Sequence, residues 1–511
     1  MPKNADICRV LFAALPDHYF KCNYCNKVRR QLPSSGYGNL LSHLRDKHPN
    51  DEADYLTHAS SLAGNLHSFG IVTEKVANIY HWMEWVVDRN MPLSEVDHPT
   101  TRSMSRLKPI SSKTLKKYLA ATTRAVEKEI AKTTPPTFGA MYDGWTCFSE
   151  HYVALYIVFW KDGQLFYVLL AIAPLDEADL TAASHCTYIQ NILMIFGQSG
   201  ESLKFFIGDN CTTNQMTATM LGVPLVGCAS HRFNLATKNV LAEHEEMVGA
   251  VRALMVALRT MKNRAELRRR TSLAPLRANT TRWSSTFMTL ERYVRIRDAI
   301  KRVDAVYDLV PKPAAHRRII ALVESLKTFK SVCKKLQEES ISMKSVRLLF
   351  DKMAEMFPVT GHYLRPDAEI VHSPVFCERC REGTEADLTP QESQALEPFQ
   401  LEATATEPTT SSRSSRARTR ARSAEDFETA LLQSRPTPEQ VAPRYEPIVA
   451  AIPPTSNLCE RLFSQCKLAM TPHSASLLPM NFEMIVFLRA NRKFWDANTL
   501  MRLDVDDTDD N

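Results

Sequence analysis

The chain has 511 residues, 44% of them apolar and 23% charged, with a formal net charge of +6. That length suffices for about three or four domains with real cores, and no stretch reaches the roughly 18 uninterrupted apolar residues of a membrane span. The best candidate, Tyr152 to Trp160, is closed by Lys161 and Asp162. Twelve scattered cysteines, and a start without the basic, apolar and small-residue series of a signal peptide, predict a soluble intracellular protein rather than a secreted disulfide framework.

The first fifty residues carry eight Lys or Arg against three Asp, a local excess of +5 that suits a polyanion such as nucleic acid. Within this head, "CNYCNKVRRQLPSSGYGNLLSHLRDKH" holds Cys22 and Cys25, then seventeen intervening residues, His43, four more intervening residues and His48. Two thiolates and two imidazoles make a closed tetrahedral zinc shell, and C-x2-C with H-x4-H fits a ligand-bearing turn followed by a helix. Leu40, Leu41 and Leu44 give that helix an apolar face, so residues 1–52 read as a zinc finger.

Residues 60–132 read as a helical subdomain. "VANIYHWMEWVVDRN" has apolar residues at helical spacing, and "SSKTLKKYLAATTRAVEKEIAK" follows a serine cap. Trp82 and Trp85 are expected in its core.

From 137 to 260 the pattern changes to strands and helices. "TFGAMYD" reads as a strand ending at Asp143, and "HYVALYIVFW-KDG-QLFYVLLAIAPL" as a hairpin around an Asp-Gly turn. The helix "TAASHCTYIQNILMIFG" follows, then the strand "LKFFIGDN" ending at Asp209, the helix "TTNQMTATML", the strand "VPLVGCAS" and a helix from His231. Taken alone, Asp143-Gly144 is a turn dipeptide. The element order, however, is that of a ribonuclease-H-like core, in which the ends of the first and fourth strands lie side by side. Asp143 and Asp209 then face each other, and paired carboxylates invite hard divalent cations such as Mg²⁺. The third carboxylate such a site needs is Glu460 in "TSNLCERLFSQCKL", where Leu458, Leu462 and Cys466 form an apolar seam. On its own, Glu460 reads as a surface residue.

The remaining segments are a helical insertion at 261–380, a Ser-, Thr-, Pro- and Arg-rich linker at 381–445 that cannot bury enough apolar surface to order itself, an apolar helical region at 446–495 and an acidic tail at 496–511. Cys377 and Cys380, with His372 nearby, have half a zinc spacing and read as free thiols. The arginines of "SSRSSRARTRARS" read equally as a solvated charge run and as a nuclear-localisation or phosphate-binding patch.

Five motifs occur in the order found in hAT-superfamily transposases: "DGWT" at 143–146, "GDNCTTN" at 208–214, "CASH" at 228–231, "TRWSSTF" at 281–287 and "ERLFS" at 460–464. The chain resembles that superfamily over roughly residues 10–300 and 446–495, and its head resembles a BED-type zinc finger, with Phe12, Tyr19 and Phe20 upstream of the first cysteine. The resemblance implies that Asp143, Asp209 and Glu460 are a DDE triad binding Mg²⁺ or Mn²⁺. It implies that Cys228 and His231 are the Cys-x-x-His pair beside the active site, although from the residues alone they read as a buried thiol and a satisfied histidine. It further implies that Trp283 stacks on an unpaired base, and that Leu462, Phe463, Phe482, Ile485, Val486 and Leu488 belong to a dimerisation region.

The expected protein is thus multidomain α+β: a small ββα-like finger holding structural Zn²⁺, a helical DNA-binding subdomain, a ribonuclease-H-like α/β core with a shortened helical insertion, and C-terminal dimerisation helices. Its expected partners are double-stranded DNA and further copies of itself, with no membrane, and its expected place is the nucleus. The expected chemistry is Mg²⁺-dependent DNA strand cleavage and transfer; the alternative is a catalytically inactive, domesticated relative acting as a dimeric DNA-binding or regulatory protein.

Overall fold

The computed structural model describes residues 7–8, 11–15, 18–25, 27–31, 37–48, 72–147, 150–175, 180–279, 283–377, 448–470 and 479–503. The linker expected at 381–445, Cys380 and residues 504–511 of the tail lie outside them. The described chain is mixed α+β, mostly helical, and forms two compact units: residues 1–132 with 466–511, and residues 133–465.

In the first unit, β1 (Phe12–Leu15), β2 (Tyr19–Cys22) and β3 (Val28–Arg30) form an antiparallel sheet beside α1 (Gly38–Lys47). The sequence reading supplied two strands at most; β1 pairs with β2 across a turn in which His18 takes a positive φ of 62°. Leu11, Phe12, Leu40, Leu41 and Leu44 close a small core around Cys22. Further on, α2 (Glu74–Arg89) starts at Thr73, whose side chain accepts the Val76 amide, and ends at Asn90 in the left-handed region. Trp82 is buried as expected, its indole N–H donating to the Lys108 carbonyl at 2.9 Å, while Trp85 is half-buried and stacks on it. Ser111 caps α3 (Ser112–Thr133) by accepting the Thr114 amide.

The sequence reading separated this helical region from the C-terminal helices; the structure gathers residues 466–511 into the same unit. The helix Pro479–Ala490 packs on α2 and buries Phe482, Ile485, Val486 and Leu488. Four residues expected at a dimer surface are therefore covered by their own chain. Arg492 fastens this arrangement: its guanidinium lies 4.2 Å over the Trp495 ring and donates to Tyr80 Oη (2.6 Å) and to Glu84 (2.8 Å).

The second unit is built on a mixed sheet of order β6-β5-β4-β7-β8, with β4 (Phe138–Cys147), β5 (Glu150–Lys161), β6 (Gln164–Leu175), β7 (Leu203–Gly208) and β8 (Leu225–Gly227). Strands β4, β5 and β6 are antiparallel neighbours; β4, β7 and β8 run parallel. The β5–β6 hairpin closes on Asp162 and Gly163 at φ 50° and 75°, the doubly positive turn that Asp-Gly favours. The parallel strands are reached through α4 (Ala182–Ile195) and α5 (Thr212–Leu221). Beyond β8, α6 (Ala229–Ala242), α7 (Glu245–Ala257), α8 (Met261–Arg268), α9 (Trp283–Ile300), α10 (Pro313–Leu336) and α11 (Met343–Met356) share one apolar core. The last helix to begin in this unit is α12 (Asn457–Ala469), whose residues from Cys466 onward are counted with the first unit, and the C-terminal helix Pro479–Ala490 of the first unit is α13. Among the described residues, no helix is long and apolar enough to cross a membrane.

Candidate functional site

In the finger, Cys22 ends β2, Cys25 lies in the turn to β3 closed by the Cys22 amide on the Lys27 carbonyl, and His43 lies on the buried side of α1. His48 is five residues beyond His43, about 140° around an ideal helix. The helix ends first: His48 leaves it at φ −140°, which swings its ring to 5.3 Å from that of His43. One ligand atom from each of the four residues lies within 4.8 Å of the others, and Cys25 Sγ stands 3.3 Å from His43 Nε2. A tetrahedral zinc with bonds of about 2.0–2.3 Å spaces its donors at about 3.3–3.8 Å, so this set fits the ion with small adjustments. Burial lowers the His43 pKa, and the Arg29 charge 3.5 Å from Nδ1 lowers it further, favouring the neutral, ligating imidazole. The cluster could hold a metal ion, and its chemistry is compatible with structural zinc.

The second site gathers in the other unit. The last β4–β7 pair is Met141 with Ile207, yet β4 continues past Asp143 as an antiparallel ribbon with β5, ending at Cys147 opposite Glu150. The Asp-Gly turn read from the dipeptide does not form; Asp143 lies within a strand, paired with Ala154, just beyond the point where β4 parts from β7. Asp209 follows the end of β7, and the two carboxylates flank that opening. Burial holds the Asp143 carboxyl well above the usual carboxylate range, repulsion from Asp209 and then Glu460 raises it too, and the Gly144 amide at 2.9 Å opposes them.

Glu460 comes from the first turn of α12, which several contacts fix in place. The Ala229 amide donates to the Pro454 carbonyl (2.8 Å), the Ser456 amide to Cys228 Sγ (3.3 Å), and the Asn457 amide group to the Leu336 carbonyl (2.8 Å). Trp145 stacks on Phe463 at 5.7 Å. The buried stripe of α12 is Cys459, Leu462, Phe463 and Cys466, with Leu458 only half-buried. The seam is thus wider than the expected one, because Phe463 also faces β4; Glu460 stands exposed beside it. Leu462 and Phe463, expected at a dimer surface, are likewise buried.

His231, at the start of α6, places Nδ1 2.8 Å from Asp209 Oδ2, and Asn214 donates to the Asp209 backbone carbonyl at 3.0 Å. Cys228 is fully buried; burial first, and then Asp209, pushes its thiol up to about 12, so it remains protonated. Cys459, which the motifs did not single out, is buried among the same groups, and its thiol is raised by burial and by the Asp143 charge. Trp283 lies 6% exposed in the helical core and offers no stacking face in this conformation. The His372 ring is engaged by Thr219 and Ser373, and Cys377 Sγ by the Leu225 carbonyl, so neither faces a metal.

The two sites differ in tightness. Among the described residues, the finger's four ligands are the group of three or more metal-binding side chains that converges within 4.8 Å; the three carboxylates stand wider apart. No protein-family model matches the chain, and no curated protein is significantly similar to it.

Proposed function

We propose that this chain is a zinc-dependent DNA-binding protein of hAT-transposase type, whose ribonuclease-H-like core cleaves and transfers DNA strands with Mg²⁺ or Mn²⁺. One observation carries the reading: Asp143 on β4 and Asp209 just past the end of the adjacent parallel strand β7 come where those strands part, and Glu460 is near enough to raise Asp143. Asp209 and Glu460, from distant parts of the sequence, repel the charge of Asp143 there, and His231 Nδ1 lies 2.8 Å from Asp209 Oδ2. The arrangement suits divalent cations held by Asp143, Asp209 and Glu460. When bound, such ions neutralise charge at a phosphodiester and activate the attacking water or 3′ hydroxyl. The protein's share is to ionise Asp143 on binding, to hold Asp209 through His231, and to keep Glu460 in reach by seating α12 on Cys228 and Trp145.

In the finger, Cys22, Cys25, His43 and His48 hold zinc, and α1 turns Ser42, Arg45 and Lys47 outward, where they suit base edges and phosphates of a duplex. A nuclear location and self-association through the C-terminal region belong to the same proposal.

A second reading has a specific observation in its favour. The carboxylates are more open than the finger's ligands, which fits a domesticated relative that binds DNA without cutting it. The test is a Mg²⁺/Mn²⁺ cleavage assay on the DNA ends flanking the gene, comparing wild type with Asp143→Asn and Asp209→Asn. Cutting by wild type alone establishes the strand-transfer reading; cutting by either variant rules out this triad; binding of the ends without cutting establishes the second reading.

A further inference from the structure

Between Arg259 and Arg277 the chain carries seven basic residues (six Arg and Lys262) against the single acid Glu266, an excess of +6 in nineteen residues, equal to the net charge of all 511. These residues form α8 and the segment that joins it to α9, a part of the second unit remote in sequence from the finger. Its described residues 271–279 lack helix or strand hydrogen bonding of their own and are held from both sides: Arg264 of α8 donates to the Leu273 carbonyl (3.4 Å), and Arg292 of α9 to the Ala274 carbonyl (2.6 Å). Ser285 Oγ accepts the Asn279 amide at 2.7 Å, and Leu273 and Leu276 pack against the helical core. Two guanidiniums are thus spent on shaping the segment, and Arg268, Arg269, Arg270 and Arg277 remain exposed on it. Glu266 compensates little of this charge, pairing with Arg269 at 2.8 Å and with Arg270 at 3.9 Å.

We infer that this clasped arginine segment is a second DNA-binding surface, which grips the sugar–phosphate backbone of duplex DNA independently of the zinc finger. Concentrating unneutralised like charge on a fixed segment is unfavourable unless a polyanion covers it. The preponderance of arginine over lysine favours phosphate, whose oxygens match the guanidinium fork. A preset backbone also lowers the ordering entropy lost on binding. The contacts are sequence-independent, which complements a module whose helix is offered to base edges. The inference rests on the proposed DNA reading but concerns different residues, so the two can fail separately.

The experiment measures binding of the full-length chain to a random-sequence duplex of about 30 base pairs by fluorescence anisotropy across a salt series. Five proteins are compared: wild type, Cys22→Ser, a quadruple variant R268Q/R269Q/R270Q/R277Q, the same four positions changed to Lys, and the quadruple Gln variant combined with Cys22→Ser. The Gln variant should bind about 10- to 100-fold more weakly at 100 mM salt, with a slope of log K against log salt shallower by about 3–4, since each neutralised phosphate contributes about 0.9. The Lys variant should keep most of the slope, and Cys22→Ser should leave the difference between wild type and Gln intact. An unchanged slope in a folded Gln variant overturns the inference while leaving the finger's role standing. Preferential displacement of the duplex by polyglutamate, or a Gln effect that appears only with an intact finger, overturns it as well. Loss in Cys22→Ser alone supports the finger and removes the arginine surface.

Discussion

His231 Nδ1 lies 2.8 Å from Asp209 Oδ2, which ties the first turn of α6 to the carboxylate that follows β7. With its proton on Nδ1, the His231 ring donates to this oxygen and restrains the carboxylate. Partners of ligating groups typically account for a 10- to 100-fold effect on metal affinity. His231→Ala should therefore weaken Mn²⁺ binding at this site about 10- to 100-fold, while the melting temperature without metal changes little. Calorimetric titration of Mn²⁺ into wild type and variant checks this, and equal affinities remove His231 from the site.

Asp143 offers a test that needs no catalysis. Its carboxyl is raised in the folded protein by burial and by Asp209 and Glu460, so folding opposes its ionisation. The stability this group contributes is complete below the unfolded carboxylate pKa of about 4 and is lost as pH rises through the higher folded value. At neutral pH and without divalent ions, Asp143→Asn should melt higher than wild type by about 2–4 °C, the shift that about 1 kcal/mol produces in a domain of this size. Added Mg²⁺ should raise the wild-type midpoint and leave the variant's in place. A variant that melts lower than wild type, or responds equally to Mg²⁺, contradicts the picture of a repulsive carboxylate cluster.

Much of this site was legible because its signals were local. The apolar runs leading to Asp143 and Asp209, and the Asp162-Gly163 turn, encode a strand or a turn within a few residues, although β4 runs on past the expected end at Asp143 to Cys147. What escaped the sequence depends on distant partners. That Trp145 stacks on Phe463, that Cys228 receives the Ser456 amide and that Cys459 is buried beside them all require α12 to be seated on β4, across some three hundred intervening residues. The turn reading of Asp143-Gly144 failed for the same reason: β5 supplies a ladder partner for every residue to Cys147, which outweighs the dipeptide's turn preference. Gly144 then serves clearance, since a Cβ there would meet the His151 ring at 2.8 Å. The joining of α13 to α2 is not legible in the sequence because apolar residues, along one face of α2 and nearly all round α13, name no partner.

Gly139 sets how closely β4 and β7 approach. A Cβ at this position would lie 2.0 Å from the Phe205 ring, which is fully buried in the same sheet. Gly139→Ala should destabilise the second unit by about 1–3 kcal/mol, the usual effect of overpacking. It should also weaken Mn²⁺ binding, because the strands it separates carry Asp143 and Asp209. Chemical denaturation followed by tryptophan fluorescence measures the first effect; unaltered stability would show that Phe205 can move.

The finger's own core is a handful of leucines and Phe12 around Cys22, far too little to fold unaided. Zinc should therefore be a folding requirement. Chelation, or Cys22→Ser, should remove one zinc per chain and abolish duplex recognition by α1, while the second unit's melting transition stays within about 1 °C of its original value, as expected for sites that share no partners. Metal analysis of the purified variant decides the point. One full equivalent of zinc retained by Cys22→Ser would exclude this four-residue shell.

Glu483 gives the first unit a pH dependence of its own. The residue lies half-buried on α13, the helix that packs on α2, and burial pushes its carboxyl up to about 7. A carboxyl raised in the folded state stabilises fully below its unfolded pKa of about 4.3, and that contribution disappears as pH rises to the folded value. Between about pH 4.5 and 7, the docking of α13 should therefore weaken steadily. Glu483→Gln removes the ionisable group while keeping its size, so the variant should be more stable than wild type at pH 8 and nearly equal to it at pH 4.5. Hydrogen exchange of the α13 amides at the two pH values reads this directly, because local opening of that helix reports its docking. If protection in wild type is the same at both values, Glu483 is solvated in solution and the helix is held without regard to its charge.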